Sequence, residues 1–185
     1  MQWCETTPHV DPRRLVFLDE TSTKTNMTRA YGRSPVGDRL VDRVPHGHWK
    51  TSTFLAALRV GGLTAPVVFD GAVNGDIFLT YVQDHLAPTL RAGDIVVMDN
   101  LSAHKVEGVR EAIEAVGASV LYLPPYSPDF NPIENAFSKL KALLKKFKER
   151  TLDGLWKRIG SLIELFTPGE CRNYFRHCGY PEHEL

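Results

Sequence analysis

Two short apolar runs that each end in an acid constrain the fold of this chain most strongly. The first, RRLVFLDE, covers residues 13–20, and the second, DIVVMDN, covers residues 94–100. Continuous apolar runs of this length are typical of strands that are buried on both faces of a sheet. An unpaired charge is costly to bury, so we expect Asp19 and Asp99 at the carboxyl ends of these strands.

The rest of the chain alternates between strand and helix patterns. TSTFLAALRV and APVVFDGAV flank GGLT and predict a hairpin, which gives three early strands in a meander. Two helices are predicted from NGDIFLTYVQDHLAP and HKVEGVREAIEAVG, the first with Asn74 as N-cap and Pro88 as its stop. A fifth strand is predicted from ASVLYLP. Apolar residues at helical spacing predict further helices over 131–148 and 152–166. This order favours an α/β fold with a mixed sheet and right-handed crossovers.

Composition sets limits on the class of protein. The 185 residues suit one domain, and 22 basic residues balance 22 acidic ones, so any argument for nucleic-acid binding depends on local clusters of charge. The three cysteines lack CxxC spacing, which fits a reducing compartment better than a disulfide framework. No apolar run approaches the ~20 residues that cross a bilayer. The sequence therefore predicts a cytoplasmic protein without a membrane partner.

A third acid follows a proline-rich approach in LPPYSPDFNPIENAFSKLK, residues 123–141. Asn131 is a candidate N-cap and Pro132 suits the first helical position, which places Glu134 in the first turn. Two interpretations stay open. Glu134 either reaches back to the Asn131 amide in a capping box, or is held in the first turn as a metal ligand. Both share one local structure and differ in what the carboxylate faces.

The chemistry of the three acids depends on where the strands lie. If the first and fourth strands are parallel neighbours, about 4.8 Å apart, Asp19 and Asp99 meet at the rim where open α/β sheets bind ligands. Taken singly, each acid is also typical of a turn or cap. Three carboxylates without a His or Cys cluster favour Mg²⁺ or Mn²⁺ over zinc. A pair of such ions, about 3.5–4 Å apart, catalyses phosphodiester displacement, so the pattern predicts phosphoryl transfer on a nucleic-acid backbone.

Two basic clusters are candidate DNA contacts. One lies on the helix after Glu134, where Lys141 and Lys145 share its helical face. The other lies in the loop after the first strand and comprises Arg29, Arg33, Arg39, Arg43 and Lys50. A solvated amphipathic face explains a lysine run equally well. The individual candidates for DNA contact are Arg33, Lys139, Lys141, Lys145 and His104, the last of which is more typical of a helix start.

Three blocks together resemble the catalytic motifs of DDE transposases of the mariner superfamily, particularly its bacterial insertion-sequence branch. The blocks are VFLDET with Asp19, VVMDNLSAHK with Asp99, and LPPYSPDFNPIENAFSKLK with Glu134, and 34 residues separate the last two acids. The segment YGRSPVGDR also resembles the Gly-x-x-Pro-x-Gly segment of that family.

The resemblance, which spans about residues 13 to 165, implies an RNase H-like fold: a central five-stranded mixed sheet flanked by helices, with the first and fourth strands adjacent. It also implies that Asp19, Asp99 and Glu134 hold two Mg²⁺ or Mn²⁺ ions. Such enzymes cleave double-stranded DNA at transposon ends, and the freed 3′-hydroxyl then attacks target DNA, commonly at a TA step.

The expected domain organisation is an N-terminal extension or linker remnant over 1–12, a catalytic domain over 13–167 and a partly helical tail over 168–185. Members of the family normally carry an N-terminal helix-turn-helix domain, so the resemblance implies a catalytic fragment, a frameshift product or a truncated remnant. It would act as a homodimer or with a partner that carries the recognition domain, in association with the nucleoid. An idle fragment that regulates a transposase, and a stand-alone RNase H-like nuclease, remain alternatives.

Overall fold

Five strands form one sheet at the centre of the protein. The computed structural model describes residues 10–180. The strands are β1 (Leu15–Lys24), β2 (Thr51–Arg59), β3 (Gly62–Asp70), β4 (Ile95–Met98) and β5 (Ser119–Tyr122), in the spatial order β3-β2-β1-β4-β5. β1 is antiparallel to β2 and parallel to β4, and β4 is parallel to β5. This arrangement confirms the mixed sheet of an RNase H-like fold, with the first and fourth strands adjacent.

The first strand is longer than its apolar run predicts. β1 continues to Lys24 because it pairs with β2 as far as Thr51, so Asp19 lies inside the strand and not at its carboxyl end. Its pairing with β4, however, stops at Phe17 opposite Val97. Asp19 therefore still lies where the sheet opens between β1 and β4, although the reason differs from the one that the sequence suggests.

The helices follow the predicted order. They are α1 (Gly75–Tyr81), α2 (Val109–Glu114), α3 (Pro132–Phe147), α4 (Leu152–Ile163) and α5 (Pro168–His177). Asn74 caps α1 as predicted, since its Oδ1 accepts a hydrogen bond from the Ile77 N–H at 2.9 Å. α2 is shorter than predicted because residues 102–105 form a separate 3₁₀ turn. Gly108, at φ 92°, divides that turn from the helix.

Helices cover both faces of the sheet. Leu15 and Phe17 of β1 point to the layer of α3, α4 and α5, whereas Val16 and Leu18 point to the layer of α1 and α2. All four side chains are fully buried, and burial of each contributes about 1.5–3 kcal/mol. This double burial explains why the strand reads as a continuous apolar run. Among residues 10–180 no helix is long and apolar enough to cross a membrane.

The C-terminal helix α5 and the residues after it pack against the core. Pro168 occupies the first turn of α5, and Thr167 caps that helix. The ring centroids of Phe175 and Phe17 lie 5.3 Å apart. The Tyr180 hydroxyl donates a hydrogen bond to the Phe130 carbonyl at 2.8 Å. The division at residues 12 and 167 remains a prediction, and most of the 1–12 segment lies outside the described residues.

Candidate active site

The parallel register of β1 and β4 brings two acids to one rim of the sheet. Phe17 pairs with Val97, so Asp19 and Asp99, each two residues further along, lie on the same face where the two strands diverge. Glu134 reaches this rim from the first turn of α3. The three acids line one cavity of about 440 Å³, whose wall is otherwise formed by Asn100, Leu101, Leu123, Pro124, Pro125, Tyr126, Ser127, Pro128 and Asn131.

Asp19 is the most buried of the three acids, with 6% of its surface exposed. Its Oδ1 accepts a hydrogen bond from the Glu20 N–H at 2.8 Å, and its Oδ2 accepts one from Asn131 Nδ2 at 2.8 Å. Burial, followed by the negative charge of Glu134, raises the pKa of Asp19 to about 7. In the absence of a cation, the Asp19 carboxyl therefore holds a proton up to neutral pH.

Asn131 occupies the N-cap position as predicted, but its side chain makes no cap hydrogen bond. It turns to Asp19 instead, and its Oδ1 is buried without a hydrogen-bond partner. The Asn131 N–H donates to the Pro128 carbonyl at 2.9 Å, so this donor is not available for a capping box with Glu134. Of the two interpretations of Glu134, the structure supports the one in which its carboxylate faces the cavity.

Asp99 lies just beyond β4 and is held by the turn that follows. Its Oδ1 accepts a hydrogen bond from the Leu101 N–H at 2.9 Å and lies 2.7 Å from His104 Nδ1, although that second contact is too poorly aligned for a hydrogen bond. Burial works against the charged form of Asp99. The positive ring of His104 and the Leu101 N–H nevertheless hold the pKa of Asp99 below its usual range.

His104 is completely buried and lies between two carboxylates. Its Nε2 is hydrogen-bonded to Glu20 Oε2 at 2.8 Å, while its Nδ1 faces Asp99. Burial disfavours the imidazolium, but the carboxylates of Asp99 and Glu20 raise the pKa of His104 to about 9. A buried side chain cannot contact DNA directly, so this placement does not favour the DNA-contact role suggested for His104.

The donor atoms around the cavity suit a hard cation. Asp19, Asp99 and Glu134 offer carboxylate oxygens, and the unpartnered Asn131 Oδ1 adds a buried acceptor beside Asp19. Within residues 10–180, no three His, Cys, Asp or Glu side chains are close enough to enclose an ion as placed. The oxygen-rich donor set and the mutual repulsion of the acids nonetheless fit Mg²⁺ or Mn²⁺.

The predicted DNA contacts separate into two groups. Lys141 and Lys145 follow Glu134 along one face of α3, and Lys145 is exposed. Lys139 lies on another side of the helix, where its ammonium donates hydrogen bonds to Glu170 and to the Leu165 carbonyl. Lys139 therefore joins α3 to α5, and its position does not favour the DNA contact predicted for it.

Arg33 lies in an exposed segment, residues 26–50, that contains no helix or strand. It lines a second cavity of about 560 Å³ together with Lys146 and Lys148 near the end of α3. The loop cluster and the end of α3 thus adjoin, and an ion pair of 2.6 Å between Lys148 and Asp42 links them. Arg33 remains a candidate DNA contact.

Comparison with known proteins identifies the family. The sequence profile of the DDE superfamily endonuclease matches residues 14–154, which include both acid-bearing strands and α3. The chain belongs to this family. No curated protein matches the chain significantly. The bacterial insertion-sequence branch within the family stays a prediction.

Solved structures with the same fold as this chain include several of the Mos1 transposase. The Mos1 strand transfer complex has a TM-score of 0.68 at 18% identity over 90% of this chain and 50% of the other. The paired-end complex with the left transposon end has a TM-score of 0.68 at 19% identity, over 92% of this chain and 53% of the other. The Mos1 catalytic domain with Raltegravir and Mg has a TM-score of 0.67 at 17% identity, over 98% and 87%. The chain spans about half the length of the first two.

Local sequence patterns do not indicate the contacts that Glu20, Asn131 and His104 make at this site. Glu20 points away from the Asp19 face, as strand alternation predicts, but there it meets His104. Asn131 reads as a helix cap, and its bond to Asp19 spans 112 residues of sequence. The block VVMDNLSAHK contains both Asp99 and His104 and so indicates that the two residues lie near each other. The burial of His104 follows only from the 3₁₀ turn that carries it.

Proposed function

We propose that this DDE endonuclease is the catalytic domain of a transposase, which cleaves double-stranded DNA at transposon ends and transfers the freed 3′ end into target DNA. The observation that carries the proposal is the shared cavity of Asp19, Asp99 and Glu134 in a member of the family. The similar fold of Mos1, which is described as a transposase in paired-end and strand transfer complexes, supports it.

The metal site of the proposal consists of Asp19, Asp99 and Glu134, which would hold Mg²⁺ or Mn²⁺, with two ions as the expected number. When bound, such ions activate a water or a 3′-hydroxyl and stabilise the leaving oxygen. Asn131 orients Asp19 through its amide donor. Burial raises the pKa of Asp19 to about 7, and Asp19 must lose its proton to act as a ligand, so metal binding should strengthen as pH rises through 7.

The surface around the cavity supports DNA as the substrate. Lys141 and Lys145 continue from Glu134 along α3, so they would contact phosphates on one side of the cleavage site. Arg33 lies in the exposed segment that adjoins the end of the same helix. Binding to specific ends would come from a second copy or from a partner with a helix-turn-helix domain, in the bacterial cytoplasm near the nucleoid.

Cleavage of labelled transposon-end DNA tests the proposal. The protein would be incubated with the ends of its own element in Mg²⁺ or Mn²⁺, with and without a supplied recognition domain. We expect nicking and strand transfer in at least one format. The absence of both in both formats, from folded protein, would contradict the proposed function.

Substitution of each acid assigns the chemistry. Asp19→Ala, Asp99→Ala and Glu134→Ala are each expected to abolish cleavage, because each removes a carboxylate from the cavity. Asp84→Ala, which removes an exposed acid from a turn outside this cavity, serves as the matched control and should cleave normally. Circular dichroism establishes that each variant is folded. Normal cleavage by any of the three variants would refute the role of that residue.

A further inference from the structure

The position of His104 is fixed on several sides. It belongs to the 3₁₀ turn Ser102–Lys105, and its ring stacks on Phe78 of α1 with centroids 4.3 Å apart and an interplanar angle of 29°. Its carbonyl accepts a hydrogen bond from the Tyr122 hydroxyl of β5 at 3.3 Å. The ring is completely buried, so its two nitrogens can satisfy their hydrogen-bonding capacity only within the protein.

Both ring nitrogens meet carboxylates that lie on opposite sides of the sheet rim. Nε2 is 2.8 Å from Glu20 Oε2, and Nδ1 is 2.7 Å from Asp99 Oδ1. Glu20 follows Asp19 on β1, and its side chain points to the layer of α1 and α2 because strand residues alternate. The ring thus connects the outward face of β1 to an acid of the cavity on the other face.

Asp99 needs such a support more than Asp19 does. It lies beyond the last residue of β4, and 37% of its side chain is exposed. Its contacts with Leu101 and His104 both involve Oδ1, which leaves Oδ2 for a partner in the cavity. A side chain outside a strand loses rotamer freedom when it becomes a ligand, and a preset orientation removes that entropic cost in advance.

We propose that His104 is a positioning residue that fixes the Asp99 carboxylate toward the cavity, and that Glu20 in turn fixes the His104 ring. The inference rests on the proposed function in one respect, because it takes Asp99 to be a metal ligand. Neither Glu20 nor His104 lines the cavity of the three acids. Glu20 and His104 act only through Asp99. Loss of a residue that supports a metal ligand reduces metal affinity roughly 10–100-fold.

The test combines two measurements on His104→Gln, which keeps a polar side chain but cannot face both carboxylates. Crystal structures of the metal-free protein report the Asp99 side chain, which we expect in one rotamer in the wild type and in several in the variant. Titration with Mn²⁺, followed by electron paramagnetic resonance, should show affinity at least about tenfold weaker than in the wild type. Leu86→Ala, a buried truncation in the same core layer, controls for general destabilisation and should bind Mn²⁺ normally.

Glu20→Gln covers the case in which His104→Gln does not fold. Its amide oxygen still accepts from His104 but carries no charge, so we expect a smaller loss of Mn²⁺ affinity, about threefold to tenfold. An unchanged Asp99 rotamer together with unchanged Mn²⁺ affinity in the folded variants would overturn the inference. If the wild type binds no Mn²⁺, the proposed function fails, while the rotamers of Asp99 still decide whether His104 positions it.

Discussion

Asp19 is the residue whose chemistry the fold changes most. Its place inside β1 is dictated by pairing with β2, and its burial comes from the helix layer that covers this face. A buried carboxyl beside Glu134 is costly in its ionised form, so the folded protein holds a proton that the unfolded chain releases. Either a proton on Asp19 or a bound cation therefore relieves the repulsion between the acids.

The extra proton that the folded protein holds on Asp19 predicts a pH dependence of stability. The pKa of Asp19 is about 7 in the folded protein against 3.8 ordinarily, so its contribution is fully present below pH 3.8 and is lost as pH rises through 7. Asp19→Asn removes this loss. Relative to the wild type, the variant should gain up to about 3 kcal/mol in unfolding free energy between pH 5 and pH 8.

Urea denaturation in the presence of a metal chelator measures this difference. His104, whose pKa is raised to about 9, loses its own contribution as pH rises from about 6.5 through 9, but it does so in both proteins and cancels in the comparison. Asp84→Asn, at an exposed position, is the control and should follow the wild type. Parallel pH profiles for the wild type and Asp19→Asn would contradict the buried, protonated state of Asp19.

The sequence predicts the acids themselves better than their surroundings. Asp19, Asp99 and Glu134 stand out because each follows an apolar run or begins a helix, which are local patterns. Asn131 has an equally clear local role as a helix cap, and the sequence gives no sign that Asp19 draws its side chain away. A contact between residues far apart in sequence depends on the packing of β1 against α3, which no local pattern contains.

At the scale of single elements, α3 combines three tasks. Its first turn supplies Glu134, its buried stripe packs on β1 and β2, and its polar sides differ in what they face. Helical periodicity predicts the start at Pro132 and the buried stripe. It does not distinguish the lysines, because Lys139 and Lys145 look alike until α5 is placed beside the former.

Lys145→Ala and Lys139→Ala should therefore affect different properties, the first DNA affinity and the second stability. Lys145→Ala is expected to weaken binding to duplex DNA and to reduce the slope of log affinity against log salt by about 1, with stability changed by less than about 0.5 kcal/mol. Lys139→Ala should leave DNA affinity unchanged and lower the unfolding free energy by about 1 kcal/mol, since Glu170 loses its ion-pair partner in the partly buried contact between α3 and α5.

Fluorescence anisotropy at several salt concentrations, together with urea denaturation, separates the two effects. Each variant is the control for the other, because both remove one lysine from the same helix. A salt slope that falls equally in both variants would show that Lys139 contacts DNA after all.

At the scale of the whole molecule, the sheet and two helix layers hold three distant segments in one place. The hairpin of β2 and β3 was predictable from the apolar runs and the turn between them, whereas the adjacency of β1 and β4 was expected only from the family resemblance. A partly helical tail was expected over 168–185, but the packing of α5 in the core was not predictable from the local pattern. Only the complementary surface of Phe17 reveals why the segment belongs to the core.

Removal of the Phe175 side chain of α5 should destabilise the whole domain. Phe175→Ala removes a buried ring that contacts Phe17, and we expect a loss of about 3–5 kcal/mol in unfolding free energy. Arg172→Ala, on the exposed side of the same helix, should change stability by less than about 0.5 kcal/mol. Equal stability of the two variants in urea would show that α5 is a peripheral tail.

Binding of Mn²⁺ to the metal-free protein is the direct test of whether Asp19, Asp99 and Glu134 form one divalent metal site. Isothermal titration calorimetry would compare the wild type with Asp19→Asn, Asp99→Asn and Glu134→Gln, which keep the shape of each side chain and remove its charge. We expect binding to the wild type and affinity at least about tenfold weaker in each variant. Undetectable binding to folded wild type, or wild-type affinity in any of the three variants, would contradict this shared site.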